Sequence, residues 1–176
     1  MHLVTAWLYL RLLWQRLLGE EHPSVAASYN NLALLYSDQG RYSEAELLYQ
    51  KALLLRQRLL GEEHPSVATS YNNLAGLYES QGRYSEAEPL YQKALLLRQR
   101  LLGEEHPSVA TSYNNLAGLY ESQGRYSEAE PLYQKSLQIY EQQLGVGHPE
   151  TIIARKNYAE FLRDYANFLR SKLSGS

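Results

Sequence analysis

The chain has 176 residues, with 17 basic and 19 acidic side chains, five histidines and no cysteine. The near-neutral balance argues against a nucleic-acid partner, which asks for a basic stripe, and the lack of cysteine excludes a disulfide framework or a thiolate metal centre. Such a length holds one compact core or a short repeat array, and 16 Tyr against two Phe suggests that one pattern is counted several times.

The pattern is a 42-residue period. Leu17–Arg58 and Leu59–Arg100 differ at five of 42 positions, and Leu59–Lys93 returns unchanged as Leu101–Lys135. A period of this size signals stacked units, none of which buries its apolar face alone. Identity over 35 residues points to recent duplication or to design, and the sequence leaves both open.

In chain order, residues 1–18 come first. A shift of 42 places Trp7 on Tyr49 and Trp14-Gln15-Arg16-Leu17-Leu18 on Arg56-Gln57-Arg58-Leu59-Leu60, so residues 3–18 read as a second-type helix without its first. Arg11 and Arg16 interrupt its apolar run, so neither a signal peptide nor a membrane span is expected. Three units follow at 19–60, 61–102 and 103–146. In the middle one, His64-Pro65 opens a helix with Pro at an early position. Val67, Tyr71, Leu74 and Tyr78 recur at the spacing of one helical face, and Gly82 stops it in a left-handed conformation. Ser85-Glu86-Ala87-Glu88 reads as a capping box for a second helix, which tolerates Pro89 near its start and ends at Gly103. Residues 147–173 read as a last first-type helix acting as a solubilising cap. Its apolar stripe is Tyr158, Phe161, Leu162, Tyr165, Phe168 and Leu169, with Lys156, Arg163 and Arg170 left for water. Residues 174–176 read as a disordered tail.

Gly82-Arg83-Tyr84-Ser85-Glu86-Ala87-Glu88, Leu90-Tyr91-Gln92-Lys93-Ala94-Leu95 and Asn72-Asn73-Leu74-Ala75 resemble the tetratricopeptide repeat, with small Ala75 and Ala87 where paired helices approach. The longer unit resembles the 42-residue variant of kinesin light chains. The resemblance implies an all-α fold, a right-handed superhelix of stacked antiparallel helix pairs, and a cytoplasmic protein-interaction scaffold whose first helices line a peptide-binding groove.

A helical wheel puts Val25, Tyr29, Leu32 and Tyr36 on one side of the first helix and Ala27, Asn30, Asn31, Leu34, Ser37 and Asp38 on the other. Four of the five differences between the first two units, Thr69 and Glu79 among them, fall on that second stripe. The resemblance makes this stripe the groove. Candidate peptide contacts are Asn30, Asn31, Asn72, Asn73, Asn114 and Asn115 as a ladder of amides. Thr69 and Thr111 join them, with Asp38, Glu79 and Glu121 as carboxylates and Lys156 as a cation from the last helix. These charges suggest a neutral or basic peptide. The plainer alternative is that the amides bond neighbouring helices and the charges are merely solvated.

His22, His64, His106 and His148 recur with the period, yet no unit supplies two ligands at i, i+4, so they read as helix starts rather than a metal ladder. No phosphate-binding loop or nucleophile elbow occurs, and no catalytic activity, cofactor or metal is expected. Three readings stand: a peptide-binding module, a natural or engineered scaffold without a dedicated ligand, and a monomer or weak homodimer pairing through Leu3, Val4, Leu8 and Leu10.

Overall fold

In a computed structural model of the protein, residues 22–174 are described. Among them the chain forms seven α-helices and no strand: α1 (Pro23–Asp38), α2 (Tyr42–Leu60), α3 (Pro65–Ser80), α4 (Tyr84–Leu102), α5 (Pro107–Ser122), α6 (Tyr126–Leu144) and α7 (Pro149–Ser174). The chain divides into two compact units between Leu77 and Tyr78. The residues expected to form a second-type helix at 3–18, and Leu3, Val4, Leu8 and Leu10 within it, lie outside the described residues.

Each first helix starts where His-Pro places it. The Nδ1 of His22 accepts the backbone N–H of Ser24 at 3.2 Å, and His64, His106 and His148 do the same for Ser66, Ser108 and Glu150. Imidazole therefore does the work of a capping side-chain oxygen, satisfying one of the orphan amides at the helix start. The first helices end ahead of Gly40, Gly82 and Gly124, at φ 72, 70 and 71°, a left-handed turn that glycine adopts without strain.

The second helices do not start as the sequence suggests. No side-chain oxygen caps α4, and its N-cap is Arg83 rather than Ser85. Arg83 reaches forward instead, donating from Nε and Nη2 to the two carboxylate oxygens of Glu86 at 2.7 Å each, with its guanidinium 4.1 Å from the Tyr78 ring centre. Arg41–Glu44 and Arg125–Glu128 repeat the fork. The correction has a steric origin. Gly82 turns the chain so tightly that the helix begins at Tyr84, which leaves Ser85 inside it. Pro89 is accommodated in an unbroken α4 of the same length as α2, which carries Leu47 there.

In the first unit α1 packs against α2, with Ala26, Ala52 and Leu55 at the centre and Val25, Tyr29 and Leu59 around them. Ala33 of α1 and Ala45 of α2 are wholly buried, which lets the backbones approach closely. The second unit packs α5 against α4 and α6, and α6 against α7. Its core joins Val109, Ala110, Tyr113, Ile139, Tyr140 and Ala154. Ala117 and Ala129 fill the close-contact positions.

Two expectations about apolar faces are modified. First helices bury more than the wheel's single stripe, since Leu77 and Leu119 are also enclosed; a helix packed on two flanks needs two apolar stripes. In α7, Phe161 is completely buried among Tyr126, Tyr133, Tyr158 and Tyr165, with ring centres 5.1–6.2 Å away. Leu162 and Leu169, assigned to the same stripe, are 40% and 44% exposed because each lies about 100° around the helix from a residue that packs.

Candidate interaction face

The stripe singled out by the wheel stays exposed or half-buried on each first helix, although in α1 Leu32 and Leu35 on another side are exposed as well. In α1, Ala27, Asn31, Leu34 and Asp38 are exposed and Asn30 and Ser37 half-buried; in α3, Thr69, Asn72, Asn73, Gly76 and Glu79 are half-buried. In α5, Thr111, Asn114, Asn115, Gly118 and Glu121 are half-buried, and in α7 Lys156 is exposed.

Within this stripe the amides meet one another. Asn73 Nδ2 donates to Asn30 Oδ1 at 2.8 Å in the first unit. In the second, Asn157 Nδ2 donates to Asn114 Oδ1 at 3.2 Å. The second amide of a later first helix thus bonds the first amide of an earlier one. Asn157 is a member that the sequence reading missed, although it stands 42 residues after Asn115.

The carboxylates are also engaged. Glu79 accepts the Tyr91 hydroxyl at 2.7 Å, and Glu121 accepts that of Tyr133 at 2.7 Å. Burial raises the pKa of Glu79 above the ordinary carboxylate value, with the tyrosine bond pulling the other way. Tyr91 and Tyr133 are both raised, chiefly by burial and then by the facing carboxylate. In the first unit the position of Glu79 is Ser37, and the exposed carboxylate has moved to Asp38. So the substitution between repeats exchanges an inward acid bonded to tyrosine for an outward one.

Thr111 is tied down: its hydroxyl donates to the Pro107 carbonyl at 3.2 Å and lies 2.7 Å from the Tyr140 hydroxyl. Thr69 donates to the Pro65 carbonyl at 3.4 Å. Lys156 lies 3.9 Å from Glu160.

The inter-helix ties with the strongest polar character went unread in the sequence. Arg98 of α4 is buried, and its Nη1 donates to Ser112 Oγ at 2.7 Å and to the Ser108 carbonyl at 3.2 Å. Arg56 of α2 makes the same pair of bonds with Ser70 and Ser66. Burial lowers the pKa of both arginines. The third unit has Tyr140 there, whose carbonyl accepts the Thr151 hydroxyl at 3.3 Å. An arginine closing the run Leu53-Leu54-Leu55 was the available signal.

Among the described residues no cluster of three His, Asp or Glu is placed to hold a metal ion, and no helix is long and apolar enough to cross a membrane.

Helix pairs of this construction, joined by a left-handed glycine and repeated every 42 residues, define a helical repeat protein. A tetratricopeptide repeat model matches residues 48–95, 71–142 and 121–168, and a second of the same description matches 25–66. The chain belongs to the tetratricopeptide repeat family, with units of the kinesin-light-chain-like type, a non-enzymatic protein-interaction fold. Among solved structures, BtubC (BKLC) from P. vanneervenii is 30% identical with a TM-score of 0.65, covering 88% of this chain and 66% of that one. The nearly identical kinesin-light-chain repeats of Podosopora anserina are 29% identical with a TM-score of 0.67, covering 93% and 77%. The first TPR of Spaghetti, bound to the HSP90 peptide SRMEEVD, shares the fold at 17% identity and a TM-score of 0.56, covering 81% and 94%. No curated protein matches the chain.

Proposed function

We propose that this chain is a peptide-binding scaffold, and that a neutral or basic peptide segment lies along the accessible stripe of its first helices. The observation that carries the reading is the residue chemistry of that stripe: amides, small residues and carboxylates recur on a first-helix face that stays exposed or half-buried in both units. Asn31, exposed on α1, offers a paired donor and acceptor to a peptide backbone. Asp38, Glu79 and Glu121 set the sign of the partner, and Lys156 in α7 is the cation of the candidate set. The peptide SRMEEVD, seen on a protein of the same fold, carries three acidic side chains that would meet like charge here. Nothing in this reading calls for catalysis.

A specific observation favours a second reading. The Asn30–Asn73 and Asn114–Asn157 bonds use part of the ladder to tie neighbouring first helices, as a scaffold without a dedicated ligand would.

A peptide-display selection on the parent and on Gly118→Leu separates the two. The first repeat carries Leu34 at this position, so the fold accepts the side chain there while the face is filled. Peptides enriched by the parent and lost with Gly118→Leu support the binding module. Identical selections, or none, leave the scaffold.

A further inference from the structure

α7 departs from the repeat in its length and in the side chains it leaves uncovered. It runs on through Ala166, the counterpart of Gly124, and so has 26 residues where α5 has 16. One side of it packs on α6 through Phe161 and Tyr165. Beside that contact runs an apolar strip. Ile152, Ala159, Leu162, Leu169 and Leu173 are exposed and Ala166 is half-buried, with Ile152 at 53% and Leu173 at 79%.

The spacing of this strip is that of a coiled-coil seam. Ala159, Leu162, Ala166, Leu169 and Leu173 stand alternately three and four residues apart, and Arg155 and Ile152 continue the pattern backwards. In heptad terms Ile152, Ala159, Ala166 and Leu173 are a positions, and Arg155, Leu162 and Leu169 are d positions. Arg155, the one charge in the seam, is paired with Glu141 of α6 at 2.6 Å. The e positions along one edge are Lys156, Arg163 and Arg170, all exposed cations. α5 has Asn114 and Glu121 at the first two of these places, so the basic edge belongs to α7 and not to the repeat. On the other edge the g positions Tyr158 and Tyr165 are half-buried against rings of α6.

We propose that α7 is a coiled-coil docking helix, and that its occupant is one helix of another protein whose apolar seam is flanked by carboxylates. Charge decides against a second copy. Two antiparallel α7 helices would set e edge against e edge, cation against cation, and two parallel ones would need the g edge that α6 occupies. A carboxylate edge meets Arg163 and Arg170 favourably in either direction. Lys156 and Arg163 lie 3.9 and 3.1 Å from Glu160 and Asp164, exposed pairs that a partner's carboxylates replace at little cost. Anionic lipid is a poorer match. A helix lying in a lipid surface carries cations across its polar face, whereas Glu160 and Asp164 follow the cations on α7. The seam also lies beside the counterpart of the first-helix stripe, which on α7 passes through Asn157 and Glu160.

The probes are two fluorescein-labelled three-heptad peptides with Ile at a and Leu at d, one carrying Glu at every e and g position and the other Lys. Fluorescence anisotropy follows their binding to the full chain, to Leu162→Gln with Leu169→Gln, and to Arg163→Glu with Arg170→Glu. All four substituted side chains are exposed, and circular dichroism with thermal melting checks that the variants keep the parent fold. The Glu peptide is expected to bind the parent at least about tenfold more tightly than the Lys peptide, and to lose at least about tenfold with the paired Gln substitutions. The paired Arg→Glu substitutions should reverse the preference, a result that a merely structural role for these arginines would not produce. Gly118→Leu, which alters the first-helix stripe, should leave Glu-peptide binding unchanged, so failure of one face is distinguished from failure of the other. Binding of neither peptide overturns the proposal, as does a preference that the charge reversal leaves in place. A dimer in sedimentation that the Gln substitutions abolish overturns it as well and assigns the seam to a second copy. Capture by phosphatidylcholine–phosphatidylserine vesicles that the same substitutions abolish overturns it in favour of lipid.

Discussion

Replacing Arg98 separates what its charge contributes from what its stem contributes. The side chain is buried and meets one hydroxyl and one carbonyl, neither of them charged. Hydrogen bonds from a charged donor are worth about 1.5–3 kcal/mol each, so two contribute roughly 3–6 kcal/mol. Desolvating the guanidinium costs several kcal/mol, of the same order and opposite sign. The three methylenes of the stem add about 0.8 kcal/mol each, near 2.4 kcal/mol together. Arg98→Met keeps the stem, and the polar atoms left behind have each other, since the Ser112 hydroxyl already donates to the Ser108 carbonyl at 3.4 Å. The expected loss for Arg98→Met is therefore within about 1 kcal/mol, against roughly 2–4 kcal/mol for Arg98→Ala, which adds a cavity. Urea denaturation followed by circular dichroism measures both. Equal losses above about 3 kcal/mol in the two variants would refute the reasoning, because the charge and not the stem would then hold the helices together.

Glu79→Gln keeps an acceptor for the Tyr91 hydroxyl and removes a charge that burial disfavours. A folded-state pKa above the unfolded value means that the ionised group opposes folding, and that the opposition fades as pH falls through the folded pKa. The variant should have the higher urea midpoint at neutral pH and lose the advantage near about pH 4, where the parent carboxylate is protonated; an advantage that grows on acidification would contradict this. Phe161→Ala empties the centre of the ring cluster between α6 and α7 and should cost about 3–5 kcal/mol, read as a lower melting temperature. A loss below about 1 kcal/mol would mean that α7 does not pack there as described.

What was legible in the sequence was local. Period, helix starts at His-Pro and stops at Gly40, Gly82 and Gly124 depend on the φ and ψ of a few consecutive residues, and these follow residue type directly. The accessible stripe of the first helix was legible for the same reason, as a matter of angle around one axis. What escaped depends on two helices at once. Asn30 and Asn73 are 43 residues apart, and the sequence places each on a face without saying that the faces meet. Arg98 follows Leu95-Leu96-Leu97 in the sequence with nothing beside it to name a partner, because Ser108 and Ser112 lie on the next helix. Ser85 fitted a capping box by spacing alone, yet the tight turn at Gly82 starts the helix two residues too early for it. The carboxylates on the stripe were read as facing water, whereas the hydroxyls of Tyr91 and Tyr133 draw two of them inward.

The most direct test of the central claim is an amide NMR titration with a peptide enriched by the parent protein. Binding on the accessible first-helix stripe predicts shifts concentrated at Asn31, Asn72, Asn115, Gly118 and Glu121, diminishing with added salt for a basic peptide. Shifts concentrated instead on the exposed side of the second helices, around Leu54 and Leu96, would contradict it and move the interaction surface to the other layer of the repeats.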